Sequence, residues 1–303
     1  MAPSLKVDSL MARNRALDRI FNAFVYLFFG SFCFLILYPF WFIVINSINA
    51  DLIFGTAMIW PTRLTVSNYL MVFSDPAVVR SMFVSIMRVV VGSVAAVVIN
   101  SLCAFSLRKK NLAFRSFYVV LFTVPQFFVG GLIPTYLNLK MLGMLDTFLV
   151  YIFPTYIYNL SWLLFLMTAF NDIPDTLEES AHLDGAGAFT VYRRIYMPLA
   201  VPVLVTIILF AGVSQWLAWF DTLYFTRSES LQTFAAFLMK VVRKFSNLEV
   251  DTINMDVDDL RRLSDLQGIR FSAMIIGTLP VVMVYPFLQK FFVKGVRLGS
   301  MKE

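Results

Sequence analysis

The most informative polar stretch in this 303-residue chain lies between two long apolar runs. From Asn171 to Pro202 it carries Asp172, Asp175, Glu178, Glu179, His182, Asp184, Arg193 and Arg194. Carboxylates beside an imidazole could serve acid–base or metal chemistry. The rest of the chain supplies no helper: His182 is the one histidine, and Cys33 and Cys103 are the two cysteines, each inside an apolar run. No CxxC or Cys/His cluster is present, which argues against a metal or disulfide framework. A membrane-embedded glycosyltransferase or hydrolase would need paired acids, a metal constellation or a nucleophile with its base, and Asp221 stands alone. No G-x-x-x-x-G-K-[ST] phosphate loop occurs, so ATP hydrolysis by that route is excluded. What remains is binding chemistry. Arg88, Gln126, Asn159 and Gln215 sit within apolar runs, where a polar side chain wants a partner and an ionisable one marks function by default. For Arg88 a second reading stays open, snorkelling to a nearby interface.

The elements that position these groups follow from composition. Hydrophobic residues make up 59% of the chain and charged ones 15%, against roughly 25% charged in an average soluble protein. One soluble domain could not hide that many apolar side chains, since more than half of a globular surface is already apolar. The long apolar blocks exclude the ~10-residue alternating strands of an outer-membrane barrel. A spanning helix needs about 20 apolar residues. Uncharged runs at 20–50, 89–107, 116–139, 147–171, 195–220 and 271–289 predict an all-α polytopic membrane protein with six transmembrane helices. The first is expected to end near Ile45, and the second to begin near Val79. The first run is too long for a signal peptide and reads as an uncleaved anchor.

Orientation follows from Lys and Arg. Segments 1–19, 108–115, 172–194 and 290–303 hold four, four, two and four of them, while 46–78 and 140–146 hold only Arg63 and Lys140. Short loops dominate this rule, which places both termini in the cytoplasm. The net charge of +6 then reads as topology, with no nucleic-acid partner. Segment 226–270 departs from the pattern with seven basic and seven acidic residues.

Within the polar stretch, Asp172, Pro174 and Asp175 start a helix whose dipole favours Glu178 and Glu179. Gly185 and Gly187 stop it, a second short helix runs from Phe189 to Met197, and Pro198 and Pro202 open the next span. Two short helices joined at a glycine corner make a defined knob, more than a connector requires. The sequence Glu179-Ser180-Ala181-His182-Leu183-Asp184-Gly185-Ala186, with its closing prolines, resembles the EAA motif of permease subunits of ATP-binding-cassette (ABC) importers. Ser180 replaces the usual second Ala. The resemblance implies the type I importer permease fold and a coupling helix inserted into an ATPase subunit. Glu178, Glu179 and Asp184 would face that subunit, Gly185 would permit the turn, and Ala181 and Ala186 would allow close packing.

Further likenesses indicate a branch. Tyr38-Pro39-Phe40, Asn46-Ser47, Pro61, Asn68-Tyr69 and Phe73 look like carbohydrate-uptake permeases. The tail from Pro286 through Gly295 to Gly299 is similar to the maltose-type second permease, although Ser300 to Glu303 departs from that ending. Tyr285-Pro286-Phe287 and the long outer loop look more like oligo- and polysaccharide permeases such as the alginate importer. The resemblance implies a second permease, an ATPase dimer carrying ATP and Mg, an extracytoplasmic solute-binding protein and a bacterial inner-membrane location, with no cofactor in this chain. The expected organisation is a cytoplasmic segment 1–19, a six-helix domain 20–293 with coupling loop 172–199 and outer loop 226–270, and a tail 294–303.

Sugars are held by aromatic faces and planar polar groups. Candidates for the path are therefore Gln126, Tyr156, Asn159, Trp162, Gln215, Trp216 and Trp219, with Arg88 for a carboxylate if the substrate is acidic. Ordinary packing and interfacial enrichment compete with this reading for each aromatic. In the outer loop, Phe234, Leu238 and their neighbours follow helical spacing, and an acidic stretch containing Asp256 and Asp258 follows. That loop is expected either to lie along the membrane or to dock the binding protein. Leu5 to Phe21 is expected as a surface-lying lead-in helix.

Overall fold

A computed structural model describes residues 4–52, 58–128, 130–153, 158–248 and 257–299, with side chains from 18 to 243 and from 263 to 287 inside those ranges. The described residues are almost all helical, with one isolated antiparallel bridge, Asn49 to Leu64. The chain divides into two compact units, residues 1–71 with 254–275 and residues 72–253 with 276–303.

In the first unit α1 (Ser4–Ser47) is one continuous helix. The lead-in is therefore not a separate element, because nothing between Leu5 and Phe21 breaks helical hydrogen bonding. From Asp18 to Trp41 its side chains are almost all exposed on this chain, as expected of an apolar helix surrounded by lipid or by other spans. The end of α1 is tied down by the polar pairs noted in the sequence. Asn68, near the start of α2 (Ser67–Ser74), donates to the carbonyls of Ser47 at 3.0 Å and Asn49 at 3.3 Å, and the Tyr69 hydroxyl meets Ser47 Oγ at 2.7 Å. Gly268 lies against the Asn68 amide, where an added Cβ would come within 2.8 Å.

The second unit is built on α3 (Pro76–Arg108), capped by the Asp75 carboxylate on the Ala77 amide. Thirty-three residues at 1.5 Å each give about 50 Å of rod. Its buried side is rich in small residues, including Ser85, Gly92, Ser93, Ala96 and Ala104, which allow neighbouring helices close approach.

Three described helices are long and apolar enough to cross a membrane: Asp18–Ser47, Pro76–Arg108 and Leu263–Phe287. A bent pair, Ala188–Leu199 with Val201–Leu217, whose axes meet at 80°, makes a fourth if its two pieces are taken as one span. The expected span over 195–220 is thus straight only from Val201, in α10 (Val201–Leu217). The apolar runs 116–139 and 147–171 are each divided into shorter pieces. Around Pro125, Gly130 and Gly131 the first becomes α4 (Arg115–Thr123), a 3₁₀ turn (Val124–Phe127) and α5 (Leu132–Met141). The second becomes a 3₁₀ turn (Phe148–Tyr151) and α6 (Leu160–Asn171), started by the Asn159 side chain accepting from the Ser161 and Trp162 amides. Irregular backbone at membrane depth survives where it is buried in protein or lines a cavity.

The polar stretch forms α7 (Asp175–Leu183), a corner at Gly185, then α8 (Ala188–Val191), a π turn (Tyr192–Tyr196) and α9 (Met197–Leu199). Gly185 has φ +82°, the left-handed region that favours glycine. Beyond α10 come α11 (Phe220–Phe225), α12 (Phe234–Leu248) and α13 (Val257–Gly299).

Candidate functional site

Two sites flank α3. The first is the glycine-corner knob. Its apolar underside packs on the α3 end: the Phe105 ring lies 5.4 Å from Tyr192 and 5.1 Å from Tyr196, and half-buried Ala181 and Ala186 join the same core. Their small size fits them closely to this chain's own core. Glu178 also differs from expectation. Its carboxylate accepts from Arg108 Nη1 at 2.7 Å and from the Tyr196 hydroxyl at 2.8 Å, and Lys109 Nζ lies 3.4 Å away. Its side chain is 14% exposed, so it faces inward and is spent inside the chain. The other Arg108 Nη holds Asp175, and the guanidinium lies 4.8 Å above the Tyr196 ring. Partial burial alone would raise the Glu178 carboxyl. Hydrogen bonds from Tyr196 and Arg108, with the charge of Lys109, outweigh it and hold the group down at about 2.

The outward face of the knob presents Glu179, Ser180, Asp184 and Gly185, all exposed. Leu183, 89% exposed at the corner, and Phe189, at 67%, are apolar groups the sequence reading passed over. Polarity guided that reading, and an apolar residue inside a polar motif gives no contrast.

The second site is a cavity of about 680 Å³ where the divided runs meet α11. Gln126, Phe128, Tyr158, Asn159, Phe220 and Asp221 contribute to its wall, together with Gly130 and Gly131. The irregular backbone expected to need a cavity is what lines this one. Of the residues expected on the sugar path, Gln126 and Asn159 line this cavity, and Tyr156 lies outside the described residues. Trp162 packs against the core around Leu163 and does not line the cavity. Trp219 is half-buried with its ring 6.0 Å from Phe220, one layer behind the wall.

Arg88 and Gln215 require correction. Arg88 is fully buried and neither snorkels nor faces the cavity. Its guanidinium pairs with both Asp221 oxygens, donates through Nε to Gln215 Oε1 at 2.7 Å and through Nη1 to the Ala218 carbonyl at 3.2 Å, and stacks 4.6 Å over Tyr151. Gln215 Nε2 in turn donates to the Tyr151 carbonyl at 3.2 Å. This network closes the break between α10 and α11. The cation meets the carbonyl end of one helix and the first-turn carboxylate of the next, both favoured by helix dipoles. Asp221 is taken up by this cation, and no open face of Arg88 is left for a substrate carboxylate.

Trp216 is also buried. It donates to the Gly277 carbonyl at 2.8 Å and lines a separate apolar cavity of about 310 Å³. Phe234, offered as a docking residue, is 1% exposed, with its ring 6.2 Å from Trp216. Leu238 is half-buried and turned toward Gly277. The start of the apolar face of α12 therefore packs on Trp216 and Gly277, and buried Phe234 offers no docking surface. Asp256 lies outside the described residues, and Asp258 falls in α13 beyond the described side chains.

The sequence matches the family described as binding-protein-dependent transport system inner membrane component over residues 88–298. It is 34% identical over 291 residues to Protein LplC of Bacillus subtilis (strain 168), covering 95% of this chain and 97% of that one. It is 30% identical over 287 residues to the polygalacturonan/rhamnogalacturonan transport system permease protein YtcP of the same organism, covering 94% and 99%. A crystal structure of a bacterial ABC transporter involved in the import of the acidic polysaccharide alginate contains a chain with TM-score 0.80 and 25% identity, covering 91% of this chain and 97% of that chain. The described helices long and apolar enough to span agree with these matches. The chain belongs to the family of binding-protein-dependent transport system inner membrane components, the permeases of ABC importers.

Proposed function

We propose that this chain is one permease subunit of an ATP-driven importer of oligo- or polysaccharides, working with a second, homologous permease. In this reading an ATPase dimer, which carries ATP and Mg, docks on the exposed face of the knob around Glu179, Leu183, Asp184 and Gly185. An extracytoplasmic binding protein delivers the sugar, both termini lie in the cytoplasm of a bacterial cell, and this chain makes and breaks no covalent bond. The carrying observation is the 680 Å³ cavity, where planar amides of Gln126 and Asn159 sit among Phe128, Tyr158 and Phe220. That is the chemistry of sugar hydroxyls and C–H faces. The relatives named for polygalacturonan and alginate favour an acidic polymer. The residues lining this cavity include no Lys or Arg, so this chain's share is recognition of hydroxyls and ring faces, and the carboxylates would be met elsewhere in the complex.

The test is ATPase stimulation of the assembled complex in lipid, screened across neutral and acidic oligosaccharides. Stimulation by acidic oligosaccharides is expected, with loss of transport on Gln126→Ala. Equal, flat responses to every sugar would overturn the carbohydrate reading. Gly185→Val places a side chain at φ +82° and should abolish stimulation while the subunit stays in the membrane. Normal stimulation in that variant would remove the docking assignment.

A further inference from the structure

The two sites are joined by one helix. Arg88 holds Asp221 of the cavity wall, with Gln215 and Ala218 behind it, and twenty residues further along α3 Arg108 holds the knob at Glu178 and Asp175. The separation is about 30 Å of helix, with no proline after Pro76. The grip at the knob is chemically dense. Beyond the ion pairs, Ser101 Oγ meets the Tyr192 hydroxyl at 2.7 Å, and Tyr196 packs between Phe105 and Phe170 at 5.1 and 5.4 Å. The route along the chain is different: α9 leaves the knob through a break at Ala200 and an 80° bend into α10. A displacement of the knob therefore meets a hinge along the chain and a bonded, close-packed contact across to α3.

We propose that Glu178 is a positioning residue that locks the knob to Arg108 and Lys109, so that knob and α3 move as one body and α3 carries the displacement to the cavity wall through Arg88. The role rests on the permease reading above, in which the knob receives the ATPase stroke. It separates Glu178 from its neighbour Glu179: one carboxylate faces this chain, the other faces outward.

The experiment uses the assembled complex with Cys33 and Cys103 replaced. Spin labels are placed at Thr176→Cys, exposed on the first turn of α7 and outside the proposed docking residues, and Lys110→Cys, on the exposed chain just past α3. Distances are measured without nucleotide and with ATP trapped. One narrow distance, equal in both states, is expected. A distance that shifts between the states overturns the proposal. In Glu178→Ala the distribution should broaden, and sugar-stimulated ATPase should fall roughly fivefold or more while basal ATPase persists. Glu178→Gln, whose amide oxygen can still accept from Arg108 and Tyr196, should broaden the distance less and keep more of the stimulation. Full stimulation in Glu178→Ala, with an unchanged distance, also overturns the proposal. Absence of stimulation by any sugar in the wild-type complex bears on the permease's substrate. The distances, trapped by ATP, test the lock independently.

Discussion

The two ion-pair clusters on α3 use the same chemistry in different surroundings. At Arg88 the cation is fully buried and its partner Asp221 is 9% exposed. At Arg108 the cation is 9% exposed, Glu178 14% and Asp175 79%. A charge stripped of water is costly to leave unpaired, whereas a pair in contact with water is worth little in net stability. The inner cluster is therefore read as a structural closure of the α10–α11 break. The outer one, with less stability at stake, is suited to holding a moving part in register.

The sharpest way to break this comparison is to remove one charge from the buried pair. Arg88→Met strands the Asp221 carboxylate and the Ala218 carbonyl. It should cost about 3–5 kcal/mol, seen as a lowered Tm and poor accumulation in the membrane. Adding Asp221→Leu should recover a large part of that loss, because a buried pair replaced by apolar groups is close to neutral. A stable single variant would show that the closure does not depend on charge.

A smaller effect probes the same closure sterically. An alanine Cβ at Gly92 would stand 2.8 Å from Gln215 Cδ and press on its amide, which is held by Arg88 and Tyr151. Gly92→Ala should lower stability by about 1–3 kcal/mol. Gly212→Ala meets nothing nearer than 3.5 Å, at Ser93 Oγ and Val89 Cγ1, and should be tolerated. Equal thermal unfolding of the two variants would argue against a tight fit at Gly92.

The smallest effect separates the clusters by pH. Glu178 is held at about 2 against an ordinary 4.5, so its folded value is depressed. Its contribution is fully present above pH 4.5 and is lost as pH falls toward 2. Hydrogen exchange over 175–183, corrected for intrinsic rate, should show constant protection from pH 7 to pH 5 and loosening only below. Glu178→Gln should remove that acid transition. The groups facing this carboxylate are Arg108, Lys109, Tyr196 and His182, the last with Nε2 at 3.6 Å. A transition centred near neutral pH would rule out Glu178 as its source.

Legibility in the sequence tracked the range of the interaction. The knob was readable because its shape is local: Pro174 starts a helix, Gly185 takes the left-handed turn, and Pro198 and Pro202 flank the bend. Which way its carboxylates point was not, since Glu178 is claimed by Arg108, 70 residues away. Arg88 stood out as an ionisable group in an apolar run, but its partner Asp221 is 133 residues distant and carries no local mark. In α12 helical spacing identified an apolar face correctly, yet periodicity says only that a face will be covered. Trp216 and Gly277 take up Phe234 and Leu238 at its start. The divided runs at 116–139 and 147–171 met the length rule for spans, which weighs composition and not continuity, although Pro125, Gly130 and Gly131 signalled the first break.

By itself, then, the sequence determined the solvent, the helical class and the knob. Apolar run length answers to bilayer thickness, and a glycine corner answers to backbone sterics, both within a few residues of chain. Tertiary structure alone decided which polar groups meet: that Arg88 closes a helix break, that Glu178 faces inward beside an outward Glu179, and that broken helices open a cavity at Gln126 and Asn159. Those outcomes depend on charges and carbonyls brought together across 70 to 133 residues of chain, where burial makes pairing compulsory and only packing determines the partner.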